Sequence, residues 1–230
     1  MAGTEAMLEA AFRTGDYSGA EATLKAARHS AEAEGDLVAE AGTLDQLAWL
    51  MHFRTLDGGR TGADPDAEEA LFQRSLTIRR KIGDQAGTAA SLFGLAVVQQ
   101  VMRHDSEQAI HNLREATELA DAHGDALLRS ECHRHLGFYY LTADVVPGEA
   151  VRHLQLSLEL RHHWGDPRWI PSGTLALGLA ELAAGMRAPG LEHVHRAARE
   201  ARGAGLSSRR IDDADDWVRR AEAGETPFAR

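Results

Sequence analysis

The chain has 230 residues, 43% of them hydrophobic and 26% charged, which is the composition of an ordinary folded protein rather than a disordered one. A formal net charge of −10 argues against nucleic acid as a direct partner, since that affinity comes from Lys and Arg neutralising phosphates. Cys132 is the single cysteine, so an intrachain disulfide is excluded, and no stretch approaches the ~20 apolar residues of a membrane-spanning helix.

Met1 to Ala11 carries Glu5 and Glu9 where a secretion signal needs a basic flank and an apolar run, so a cytoplasmic protein is expected. From there the apolar periodicity predicts helices over 4–14, 17–34, 36–55, 66–82, 85–102, 106–123, 126–142, 148–163, 170–185, 190–203 and 208–222. Gly15-Asp16, the loop from Leu56 to Asp66, His104-Asp105, Val146-Pro147-Gly148 and Ala188-Pro189-Gly190 separate the members of successive pairs. Pro65, Pro147 and Pro189 lie at or just before a helix start, where a missing N–H costs nothing. Pro167 and Pro171 predict an irregular first turn in the ninth helix.

A longer register overlies these helices. A small residue is followed eight positions later by glycine at Ala27/Gly35, Ser75/Gly83, Ala116/Gly124, Ser157/Gly165 and Ala197/Gly205, giving glycine spacings of 48, 41, 41 and 40. Three positions before each small residue stands an apolar one: Leu24, Phe72, Leu113, Leu154 and Val194. Four of the glycines precede aspartate, at positions 36, 84, 125 and 166. Glycine there is expected to close one helix in the left-handed conformation, and the carboxylate to cap the next. After Gly205, Ser207 is expected to take over as the cap. With almost no loop between them, consecutive helices must pack antiparallel. The last helix has one apolar stripe, Ile211, Ala214, Trp217, Val218 and Ala221, with charges elsewhere, as the end of a stacked array requires.

These residues resemble the tetratricopeptide repeat. Leu136-Gly137 with Tyr140, then Ala150, Leu154 and Ser157, carry its pattern well, and Leu177-Gly178, Gly190, Val194 and Ala197 repeat it. Phe93-Gly94, Ala109, Leu113 and Ala116 are similar; the second repeat, with Ala48, and the first, with Leu8, are looser. The resemblance covers about 4–205 and is to the longer-repeat variety of bacterial regulators and kinesin light chains. It implies an all-α, right-handed superhelical array of five antiparallel helix pairs plus a C-terminal capping helix. That array would be one solenoid domain over 1–230, with repeats near 4–35, 36–83, 84–124, 125–165 and 166–205 and a cap over 207–223.

In that family the first helix of each pair lines the concave surface. Carried over residue by residue, the lining positions are Asp45, Trp49, His52 and Phe53; Ser91, Leu95, Val98 and Gln99; Glu131, Arg134, Phe138, Leu141 and Thr142; and Leu175, Leu179 and Leu182. The set is apolar and aromatic, and Arg134 stands almost alone as a cation. An amphipathic helix, another protein segment or an apolar small molecule fits such a groove better than an extended acidic peptide, which repeated Lys and Arg would meet. In the competing reading the long helices close on one another and these residues simply pack.

The twelve histidines suggest no metal or other cofactor, because His133/His135 and His193/His195 are two apart and leave a helix on different faces. Glu131 and Arg134, three apart, are placed to pair. The glycine-rich run Asp57-Gly58-Gly59-Arg60-Thr61-Gly62 lacks the lysine of a phosphate loop, so it reads as an insertion or as a lid over the groove edge. The functional expectation is a non-catalytic binding scaffold or sensor without membrane contact, with dimerisation through one end left open. The alternative is an enzyme with a small-molecule pocket, using His52 or Glu131 as acid or base.

Overall fold

The computed structural model describes residues 2–225 and 227–228. Among them the chain forms α-helices and no strand: α1 (Ala2–Glu9), α2 (Tyr17–Glu34), α3 (Leu37–Asp57), α4 (Pro65–Ile82), α5 (Gln85–Val97), α6 (Ser106–His123), α7 (Ala126–Thr142), α8 (Pro147–Trp164), α9 (Ile170–Ala183), α10 (Arg187–Gly203) and α11 (Ser208–Glu222). α1 and α5 each end in a π-helical turn, Ala10–Thr14 and Val98–Met102. None of the helices described is long and apolar enough to cross a membrane.

Local chemistry sets the helix ends. Asp16, Asp36, Asp64, Asp84, Asp105 and Asp125 each accept a bond from the backbone N–H three residues on, the usual N-cap arrangement. Gly35, Gly83 and Gly165 close their helices with φ of 70°, 73° and 83°. Three junctions depart from the expected form. Gly124 is extended, with φ −82° and ψ 160°, its N–H bonded back to the Ala120 carbonyl. After Gly165, Pro167 delays the next helix to Ile170, and Asp166 instead accepts from the Arg168 N–H and pairs with its guanidinium. Ser207 occupies the cap position of α11 but makes no side-chain cap bond.

The molecule divides at Gly124–Asp125 into two compact units. In the first, α1 packs on α2, α3 on α4 and α5 on α6 as antiparallel pairs, with α1, α3 and α5 adjacent. In the second, α7 packs on α8 and α9 on α10, and α11 lies against α10. The five apolar register positions, Leu24, Phe72, Leu113, Leu154 and Val194, are all fully buried. Glycine on a first helix admits Phe72, Leu154 and Val194. A Cβ on Gly137 would lie 2.5 Å from Leu154 Cγ, and one on Gly94 would overlap the Phe72 ring. The end of the second unit is covered by α11, whose Trp217, Val218 and Ala221 pack with Leu179, Leu182 and Val194.

Candidate functional site

In the first unit, α3 turns Trp49 into an aromatic cluster. Its ring lies 5.3 Å from Phe72, 5.5 Å from Phe93 and 6.0 Å from Phe53, which in turn touches Phe12. His52, one turn along, is 3% exposed, and its Nδ1 is hydrogen-bonded at 2.7 Å to Glu68, itself 2% exposed. A proton on that dyad is sealed from a substrate in solution. Leu95 and Val98 are buried in the core, and Gln99 accepts a bond from Asn112. Trp49 and Phe53 remain half-buried.

Asp45 is also inside. Arg79 Nη2 lies 2.8 Å from its carboxylate, Ser91 Oγ lies 3.2 Å away, and Arg79 Nε donates to Ser75. Burial pushes the Asp45 carboxyl up to about 6, against the opposing pull of the Arg79 charge and of the Ser75 and Ser91 hydroxyls.

The second unit holds a parallel arrangement. Arg161 on α8 is 1% exposed; its guanidinium donates to Ser130, Ser172, the Trp169 carbonyl and Glu131. Glu131 thus hydrogen-bonds Arg161 rather than Arg134, the partner its spacing suggested. The cross-helix contact reaches the carboxylate where the one along the helix does not. That contact commits the Glu131 carboxylate to the buried Arg161 network.

Arg134 instead places its guanidinium carbon 4.7 Å from the centre of the Phe138 ring. Both residues are half-buried and Thr142, one turn beyond, is exposed. Leu141, Leu179 and Leu182 are buried in the unit's core, and Leu175 is half-buried. A further side chain joins the group: Phe228 sets its ring against Phe138, centroids 6.2 Å apart and planes at 70°.

Sequence reasoning missed Arg79 and Arg161, although the register carried a signal. In the repeats whose small residue is alanine (27, 116, 197), the residue four later is also alanine (31, 120, 201); where it is serine (75, 157), that residue is arginine. Arg79 Nε donates to the Ser75 hydroxyl directly, whereas Arg161 Nε donates to Ser130, whose hydroxyl lies 3.1 Å from that of Ser157. Glu68, Glu181 and Phe228 carried no such signal, because their partners are set by tertiary packing. Glu181 binds His193 at 2.6 Å, and His133 meets His153 at 2.9 Å between Nδ1 atoms, so several histidines are engaged with other side chains. No group of three His, Cys, Asp or Glu among the described residues is placed to hold a metal.

Two surface depressions occur away from these positions. One, about 380 Å³, is lined by Arg80, Gln85, Thr88, Glu115, Glu118 and Leu119; the other, about 260 Å³, by Asp105, Glu107, Gln108 and His111. Both are open to solvent, and neither is an enclosed cavity. The glycine-rich loop is tied at its base, where the Tyr17 hydroxyl donates to Asp57 and Arg60 Nη1 lies 2.9 Å from His104.

Residues 67–122 match the family model of the tetratricopeptide repeat. Among solved structures the chain is similar to BtubC (BKLC) from P. vanneervenii, with a TM-score of 0.54 and 20% identity over 94% of this chain and 78% of that one. That likeness concerns the fold. No curated protein matches the sequence. Residues 67–122, over α4–α6, thus carry tetratricopeptide repeats, and the same small-residue and glycine register recurs through the other helix pairs.

Proposed function

We propose that the chain is a non-catalytic scaffold that holds a protein partner on the first-helix faces of its repeats, principally on α7. Repeats of this kind generally mediate protein–protein interaction. The observation that carries the reading is the division among the lining residues. Leu95, Val98, Leu141 and Leu179 are consumed by the core, which leaves no apolar cleft for a small molecule at those positions. Arg134, Phe138 and Thr142 remain at or near the surface on one stripe of α7. A half-exposed aromatic stacked with arginine is the kind of anchor that protein interfaces concentrate their binding energy in.

The test is photo-crosslinking in the native host from an activatable residue placed at Thr142, which is exposed. A discrete protein adduct that is lost in Phe138→Ala supports the scaffold reading. No adduct, or one formed equally well by Phe138→Ala, contradicts it.

A further inference from the structure

In the second unit His153 of α8 is clamped between two rings of α7. Its imidazole stacks on that of His133, with centroids 5.1 Å apart and planes at 28°, and on the Tyr140 ring, 5.6 Å away with planes at 13°. His133 and Tyr140 are seven residues apart, two turns along one face of α7. Both histidines are buried, at 6% and 7% exposure, and their Nδ1 atoms lie 2.9 Å apart. At that distance one nitrogen donates and the other accepts, so the contact holds a single proton.

The neighbours decide which ring carries that proton. Arg152 Nη2 lies 2.9 Å from His153 Nε2, and a guanidinium only donates. His153 Nε2 is therefore an acceptor and its proton sits on Nδ1, so His133 accepts through Nδ1 and keeps its own proton on Nε2. Acid has two places to add a proton. At His153 Nε2 it displaces Arg152, a side chain 58% exposed and also held by Glu149 at 2.7 Å. Glu149, close enough to feel a charge on His153, offsets this first proton, and the face of Tyr140 lies against the new cation. At His133 Nδ1 the added proton sets N–H against N–H and breaks the contact. Arg129, one turn before His133 on α7, adds a further cation. α9, which packs on both helices, has Glu181 as its one ionisable side chain, and that is bound to His193.

We propose that the His133–His153 contact is a pH-sensitive latch between α7 and α8. It is closed with one proton between the facing nitrogens, and acid opens it by protonating His133, which frees α8 from α7 at this point. Cys132, next to His133 in the chain and fully buried, becomes accessible when the latch opens. The latch is independent of what α7 binds and stands or falls apart from the scaffold reading.

Labelling of Cys132 in the full chain by a dipyridyl disulfide, which reacts with thiols in acid, measures the opening. His133→Asn is the reference, because its amide oxygen accepts from His153 Nδ1 and does not titrate. An unconstrained histidine takes up its proton near about pH 6.5. The labelling rate of the parent divided by that of His133→Asn should therefore rise about thirtyfold from about pH 7.5 to 5.0, roughly tenfold per unit once below 6.5. The division removes the carboxylates and the intrinsic reactivity of the thiol, which the two proteins share. A ratio that stays constant or falls as the pH is lowered overturns the proposal. Nitrogen-15 spectra of the imidazoles in the parent chain give a second reading that needs no variant. At about pH 7.5 His153 should carry its proton on Nδ1 and His133 on Nε2, and His133 should still be neutral at about pH 5.5, where an unconstrained histidine is roughly nine-tenths protonated. The opposite tautomers, or an imidazolium at His133 at that lower pH, overturn the latch even if His133→Asn fails to fold.

Discussion

Asp45→Asn tests whether burial or ion pairing governs the charged core of the first unit. Asp45 lies 2.8 Å from Arg79, which alone would hold it ionised, yet burial outweighs that attraction and raises its pKa to about 6 from the ordinary 3.8. A rise of roughly two units, at about 1.4 kcal/mol each, makes the ionised carboxylate destabilising by about 3 kcal/mol. The folded chain keeps this proton to higher pH than the unfolded chain does. The stability it confers is therefore complete below about pH 4 and is lost as pH rises through about 6. Asparagine keeps the shape and removes the titration. Urea unfolding of both proteins between about pH 4.5 and 7.5 gives the difference, which is needed because other carboxylates tilt the opposite way. Glu21, held low by its hydrogen bond from Lys25, is one. The variant should gain about 2 kcal/mol relative to the parent across that range. A difference that does not change with pH refutes the reasoning, and one that falls with pH means that the Arg79 pair dominates.

Glycines in the first helices should divide by what faces them. Gly137→Ala drives a methyl into Leu154 and should cost about 1–3 kcal/mol, whereas Gly42→Ala, with nothing within 4 Å of the new atom, should gain about 0.5–1 kcal/mol; thermal unfolding separates the two. Arg161→Met removes the donor to Ser130, Ser172, the Trp169 carbonyl and Glu131, and should cost about 3–5 kcal/mol in chemical denaturation. Adding Glu131→Gln should recover part of that loss, since the stranded carboxylate is then neutral. A double variant no better than the single one would place the cost in packing instead.

Much of the fold was legible because its determinants are local. Aspartate at a helix start, glycine at its end and an apolar residue three before a small one act within a turn or two, and Leu24, Phe72, Leu113, Leu154 and Val194 accordingly sit in the core. The junctions that deviated, at Gly124 and Asp166, depend on bonds that the dipeptide alone does not determine. The site was less legible. Whether an inward position is reachable depends on what the neighbouring helix brings: Val98 and Leu179 disappear into the packing, while Phe138 stays at the edge. The partners of His52, Glu131 and Phe138 (Glu68, Arg161 and Phe228) come from other helices or from beyond the last one, and no periodicity within a helix reports them. The π-helical turns closing α1 and α5 likewise left no mark in the apolar pattern.

The central claim is that a protein partner is anchored on α7. Its most direct measurement is the affinity of the crosslinked partner, once purified, for the parent chain and for Phe138→Ala at matched helix content. Loss of an interface anchor should weaken binding by at least about 2 kcal/mol, roughly thirtyfold. Unchanged affinity in Phe138→Ala would contradict the account.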